Sequence, residues 1–346
     1  MIADFFFVFF SSFAALFLLR KVAKRVGLVD KPNARKLHQG AVPLVGGLAI
    51  CITLAQFLYY SPTILDDAGL YVFCITILTI IGALDDKFDV SFKLRLAIQA
   101  LLSVCMMVFA GLELHTLGNM IGFGTIDLGM FGYLVTVLAV IGAINAFNMV
   151  DGIDGLLGGL SMVTFGGLGI MLFHDGQQSL AYLCGIIIVA MIPYILLNLG
   201  AFGRQRKVFM GDAGSMLIGF TVIWFLLLAS QNGSRPPLRP VTALWIIAVP
   251  LMDMTAIMIR RIKRGDSPFK PDREHLHHIF QRLGLNSLQT LIAICTIATL
   301  LSAVGIYGEI ANVPEYVMFW LFILSFLIYF FTLSKVEKYS PPQEAS

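Results

Sequence analysis

The sequence is poor in charge. Only 13% of its 346 residues are Asp, Glu, Lys or Arg, 58% are hydrophobic, and the mean hydropathy is +0.85. Soluble chains carry about 25% charged residues, so this composition excludes disorder and places the chain in a membrane. An arginine-rich tail is missing, which removes nucleic acid as a partner. The five cysteines, Cys51, Cys74, Cys105, Cys184 and Cys295, all sit inside apolar runs with no spaced framework. They read as small buried hydrophobes, and a disulfide-stapled secreted fold is excluded. Period-two alternation is absent, against a β-barrel. Neither a Walker loop nor a Rossmann fingerprint is present to hold a nucleotide as soluble enzymes do. No basic residue precedes the first apolar run, and Arg20 and Lys21 follow it, so it reads as a retained helix and not as a signal peptide.

Long apolar stretches are what the sequence does have. Crossing ~30 Å of hydrocarbon takes about 17 to 25 residues of helix, and eleven stretches, from 2–19 to 317–333, approach that length. The expectation is an all-α polytopic membrane protein of about eleven transmembrane helices, a single domain over residues 1–346. Of the 24 Lys and Arg, all but Arg235 and Arg239 fall on alternate connections or on the C-terminal tail. The positive-inside rule makes those connections, near 20–43, 85–95, 145–155, 200–215 and 260–289, cytoplasmic, with a periplasmic N-terminus and a cytoplasmic C-terminus.

The acids, amides and histidines concentrate on that same side. Asp85-Asp86 closes an apolar span, where carboxylates oppose the helix dipole and need compensation from elsewhere. Asn145-x-x-Asn148-x-x-Asp151-Gly-x-Asp154-Gly155 puts a polar residue at every third position with no Lys or Arg among them. Such a stripe on an apolar segment is costly unless it faces water, a cation or a polar substrate, and Gly152 and Gly155 permit close approach by a ligand. In Gly211-Asp212-x-Gly214-Ser215 the carboxylate is either an N-cap or part of a site where backbone N–H groups meet a metal-bound phosphate.

Half of the six histidines lie in His275-x-His277-His278, downstream of Arg260, Arg261, Lys263 and Arg264. Leu276, Ile279, Phe280 and Leu283 give this segment the spacing of an amphipathic helix, with His275 and His278 on one flank and His277 on the other. Zinc is disfavoured without cysteine or an i, i+4 histidine pair, whereas imidazoles beside arginines suit phosphate oxygens. Asp253, inside the ninth stretch, is expected to face a cavity. Hard oxygen ligands beside basic residues suit Mg²⁺ with a diphosphate.

In this order on alternate connections, these motifs resemble the polyprenyl-phosphate N-acetylhexosamine-1-phosphate transferases. The likeness runs from Asp30-Lys-Pro-Asn33 and Pro43-x-x-Gly46-Gly47 to the histidines. His-x-His-His after Ser267-Pro-Phe-Lys270-Pro-Asp272 is similar to the bacterial undecaprenyl-phosphate N-acetylglucosamine-1-phosphate transferase branch, while the muramyl-pentapeptide branch has three consecutive histidines where Leu276 intervenes here. The resemblance implies transfer of GlcNAc-1-phosphate from UDP-GlcNAc to undecaprenyl phosphate with release of UMP. That step initiates cell-envelope polysaccharide synthesis at the cytoplasmic face of a bacterial inner membrane, with Mg²⁺ as cofactor and Mn²⁺ as its substitute.

By the same resemblance Asp212 holds the metal with Asn148, Asp85 and Asp86 orient or deprotonate the lipid phosphate, and Lys93 or Arg95 contacts phosphates. Asp151 and Asp154 belong to the nucleotide side, and Asn145, Arg261, Arg264, His275, His277 and His278 to substrate binding. A muramyl-pentapeptide phosphotransferase and a polyanion transporter stay open as alternatives, although a transporter would place polar residues at the midplane. A CDP-alcohol phosphotransferase is disfavoured because its Asp-Gly-x-x-Ala-Arg run does not follow Asp151-Gly152. Homodimer formation is left open.

Overall fold

Inside lipid a helix satisfies all of its own backbone N–H and C=O groups, and helices dominate the computed structural model, which describes residues 2–30, 40–233, 236–267 and 274–339. In chain order they are α1 (Ile2–Val26), a minimal strand pair β1 (Val29–Asp30) and β2 (Val42–Pro43), α2 (Gly46–Tyr60), α3 (Ala68–Phe88), α4 (Phe92–Ala110), α5 (Phe131–Met149), α6 (Leu156–His174), α7 (Gln178–Asn198), α8 (Gly211–Gln231), α9 (Pro240–Ile246), α10 (Ala248–Lys263), α11 (Leu276–Arg282), α12 (Ser287–Ile310) and α13 (Glu315–Tyr339). Among the described residues, nine helices are long and apolar enough to cross a membrane, or ten if α9 and α10, bent by 83°, form one span. The stretch 44–60 yields a helix of 15 residues, α2. The stretch 241–259 breaks at Ile247, where Pro250 has no N–H to return to the Ile246 carbonyl and the helix restarts. Residues 31–33 of the first motif, and 268–273 ahead of the histidines, lie outside the described residues.

The centre of the bundle is α8, whose apolar span is entirely buried, with α2, α3 and α5 packed around it. Small residues make this possible. Gly47 meets the backbone of Gly214, Gly82 meets that of Ala213, and Gly219 meets that of Ile144, each leaving no room for a Cβ; without hydrophobic driving force in lipid, such close backbone contact carries much of the packing. The periphery is the reverse of a soluble surface, for Phe6, Phe10, Val108, Phe109, Leu300 and Phe331 are all exposed.

One end of the bundle gathers the chain segments that matter below. Phe209, just before α8, accepts hydrogen bonds from the N–H groups of Val45 (3.2 Å) and Gly46 (3.0 Å) at the start of α2. Asn198, at the end of α7, accepts from the Gly155 N–H at 2.5 Å and donates to the Val208 carbonyl at 2.9 Å, joining the turn before α6 to the approach to α8. At the opposite end residues 111–130 form a folded cap. Gln231, the last residue of α8, accepts there from the N–H groups of His115 and Thr116, and Glu315 accepts from that of Asn119 at 2.7 Å.

Candidate active site

The first turn of α8 organises the site. Gly211 has φ +73°, and the next two N–H groups point at Asp86: Asp212 donates to Oδ1 at 3.0 Å and Ala213 to Oδ2 at 3.4 Å. A carboxylate that the C-terminus of its own helix disfavours thus sits at the positive end of another. Asp85, 7% exposed, is paired with Arg95 from α4. The same guanidinium lies 3.4 Å from Asp212, and the Asn148 amide donates to Asp212 and to Ser215, each at 2.7 Å. Asp212 therefore does not cap its own helix; Asp86 does so, and the Asp212 carboxylate is held where α3, α4, α5 and α8 meet.

Beside it opens a cavity of about 620 Å³ lined by Asp86, Asn148, Asp151, Asp154, Asp212, Lys207, Tyr194, Phe209, His278 and Gln281, within the usual range for a small-molecule site. Asp154 pairs with Lys207 at 2.5 Å, and the Lys207 ammonium lies 5.1 Å from the centre of the Phe209 ring. Burial first, and then the carboxylates of Asp212, Asp86 and Asp154, push Asp151 up to about 8. Five carboxylates, Asp30 included, and among the described residues a single lysine around one space call for a cation. Among the described residues no three His, Cys, Asp or Glu side chains come close enough to hold a metal by themselves. That donor set fits Mg²⁺, which commonly takes one or two carboxylates and fills its remaining positions with phosphate oxygens and water.

Across the cavity stands the histidine segment. His275 precedes α11 and reaches inward: its Nδ1 is 2.8 Å from Asp253 Oδ2, and Asp253 Oδ1 accepts from the Leu276 N–H at 3.0 Å and from the Tyr329 hydroxyl at 2.8 Å. Asp253, expected at a cavity, is instead 1% exposed and enclosed between α10, α11 and α13. The His275 and His277 rings are nearly parallel with centroids 5.6 Å apart, and His277 and His278 are 4.2 Å apart. His278 alone lines the cavity. His275 and His278 do not share a helical flank as expected, because the helix begins only at Leu276. His277 is 2% exposed and abuts Gly152, where a Cβ would strike its ring. Burial, with His278 and His275 beside it, drives its pKa down to about 3, so the ring is neutral.

Residues 68–230 match the family model for glycosyl transferase family 4. The chain is 54% identical to the undecaprenyl-phosphate alpha-N-acetylglucosaminyl 1-phosphate transferase of Shigella flexneri over 93% of this chain and 88% of that protein. Identity to the proteins of the same name is 53% for Yersinia pestis (95% and 90% covered) and 48% for Haemophilus influenzae (95% and 93% covered). The chain belongs to this transferase family.

Within this transferase the cavity brings together Asp86, Asn148, Asp151, Asp154, Asp212 and His278. Asn145 lies outside it, donating to Gln99 at 3.2 Å and lining, with Arg95 and Asn148, a small crevice on the α4–α5 side. Lys93 is exposed and away from both; Arg95 makes the contacts with Asp85 and Asp212. Arg261 is buried and Arg264 pairs with Glu274, to whose carbonyl Arg260 donates at 3.0 Å. Arg260 and Arg264 fasten the residue before the histidines, and none of the three arginines lines the cavity. Lys207, Asn198, Tyr194, Phe209 and Gln281 were not singled out by sequence. A lysine in a topogenic basic run carries no mark of its own, but an amide ending an apolar helix, as Asn198 does, was a usable signal.

Proposed function

We propose that the chain transfers GlcNAc-1-phosphate from UDP-GlcNAc to undecaprenyl phosphate, giving undecaprenyl-diphospho-GlcNAc and UMP, the first step of an envelope polysaccharide. The observation that carries the reading is the near full-length likeness to transferases of that name, combined with a carboxylate-lined cavity at the N-terminus of a buried helix. Counting α2 and the joined α9–α10 gives eleven crossings with the N-terminus periplasmic and the C-terminus cytoplasmic. The distribution of Lys and Arg supports this, because the cavity is built from the basic-side connections.

A phosphate monoester has a second pKa near 6, so most of the lipid acceptor is already a dianion at neutral pH. One of its oxygens attacks the sugar-bearing phosphorus of UDP-GlcNAc. The new P–O bond forms as the bond to the UMP phosphate breaks, and UMP leaves with the electron pair. Like charges must meet, so positioning and charge neutralisation supply most of the catalysis. Asp212, oriented by the Asn148 amide, would hold Mg²⁺, which when bound would supply positive charge to the diphosphate. Arg95, clamped by Asp85, presents a cation on the α4–α5 side, where the acceptor phosphate arrives. Lys207 and His278 face the diphosphate, and Asp151 and Asp154 the nucleoside. Asp85 is a placement residue, since its carboxylate is already engaged by a guanidinium.

The test is transfer of radiolabelled sugar by purified protein supplied with UDP-GlcNAc, undecaprenyl phosphate and Mg²⁺. Lipid-extractable label with equimolar UMP, abolished by EDTA, is expected. Turnover of UDP-MurNAc-pentapeptide alone would move the chain to the muramyl branch, and no turnover of either would favour transport. Asp85→Asn is expected to lower kcat with little change in pH profile, whereas a trapped phospho-aspartate would replace direct attack by a two-step displacement.

A further inference from the structure

Asp253 takes no part in the mechanism above, yet both oxygens of its carboxylate are engaged. It lies one to two turns inside α10, 1% exposed, and three groups from two other segments converge on it: His275 Nδ1, the Leu276 N–H and the Tyr329 hydroxyl. A buried carboxylate with one partner is a liability; one with three ordered partners fixes their geometry. The Leu276 bond sets where α11 starts. The His275 bond fixes the orientation of that ring and, with the carboxylate as acceptor, places a proton on Nδ1.

The consequence passes along the rings. His275 stacks on His277, and His277 contacts His278. His277 is wedged against Gly152 of the Asp151–Asp154 turn, its buried Nε2 without a hydrogen-bond partner among the described residues. His278 alone of the three reaches the cavity. The depth of this stack therefore sets both the position of His278 and the height of the turn that carries Asp151 and Asp154.

We infer that Asp253 is a positioning residue of the donor site: by clamping His275 and the first turn of α11 it holds His278 and the Asp151–Asp154 turn at the spacing that receives the UDP-sugar. This rests on the transferase reading above, and its test has a readout that does not need turnover. In the purified full chain, Asp253→Asn keeps the shape of the side chain and an acceptor for Leu276 and Tyr329, but turns an amide N–H₂ toward His275 and demands the other tautomer. Binding of UDP-GlcNAc in the presence of Mg²⁺ and absence of acceptor is expected to weaken on the order of 10-fold, and kcat/KM for UDP-GlcNAc to fall on the order of 10- to 100-fold. KM for undecaprenyl phosphate should stay within about twofold. In a His275→Asn background the same change should add nothing, because the clamp has already lost its far end.

Wild-type binding and kinetics in Asp253→Asn, equal losses toward both substrates, or effects that add in the double variant would each overturn the inference. If Asp253→Asn does not fold, Asp253→Glu decides between the same outcomes, since it keeps the charge and shifts it by one methylene. Failure of the wild type to transfer sugar would sink the proposed function instead, and the binding comparison would still decide the role of Asp253.

Discussion

The two ends of the bundle handle charge in opposite ways. At the end away from the cavity, Arg239 donates through its backbone N–H and Nε to the Glu309 carboxylate, through Nη1 to the Val313 carbonyl at 2.7 Å and through Nη2 to the Gly308 carbonyl at 3.0 Å. Thr242 adds a further hydrogen bond to Glu309. Both charges are answered by the protein, and the pair ties the start of α9 to the end of α12. At the cavity end, Asp30, Asp86, Asp151, Asp154 and Asp212 crowd one space with Lys207 as the lone lysine or arginine of its wall among the described residues. Paired charges stabilise the fold in the first place, and crowded like charges oppose it in the second, where their neutralisation is left to a ligand.

Substitutions at the two ends should separate accordingly. Asp212→Asn is expected to lower kcat on the order of 10³-fold while leaving the thermal midpoint in detergent equal to or above that of the wild type; a lower midpoint would mean that Asp212 serves the fold. Gly152→Ala drives a methyl into the His277 ring and should cost about 10²-fold in kcat/KM, with an unchanged response to substitutions at the far end. Arg239→Ala reverses the pattern. It strands the mostly buried Glu309, and about 3 kcal/mol of stability should be lost, with kcat per folded molecule within twofold of normal.

The smallest effect is in pH. Asp151 releases its proton near 3.8 when unfolded and only at about 8 when folded, so between those values the folded form holds the proton more tightly and stability falls as pH rises. Without divalent cation the thermal midpoint should decline from pH 5 to pH 8. Added Mg²⁺ should restore most of the loss at pH 8, and Asp151→Asn should flatten the slope. An equal slope in that variant would assign the effect to another group.

Hydropathy is a local property, and for that reason most of the spans could be read directly from the sequence. The acids at 85, 86, 151, 154 and 212 were equally visible, because a carboxylate at the edge of an apolar run has no local explanation. Their partners were hidden. Asp86 caps a helix that begins more than a hundred residues later, and no spacing rule reaches that far. Lys93 and Arg95 sit two positions apart, which on a helix puts them on nearly opposite faces, and only the packing of α4 selects Arg95. Asp253 was legible as an intramembrane acid but not as a partner of His275, for the two lie 22 residues apart on separate segments and no spacing rule joins them.

The burial of α8 bears on how the protein responds to its lipid. Its 21 residues amount to about 32 Å at 1.5 Å per residue, close to the hydrocarbon thickness, yet its span touches no lipid. Each end is pinned by side chains, Asp86 at one and Gln231 at the other. Thickening or thinning the bilayer therefore strains only the outer ring of helices, which can tilt to compensate. The separation between the transfer site and the far surface is set by a ruler of protein, and transfer rates should vary little with acyl-chain length.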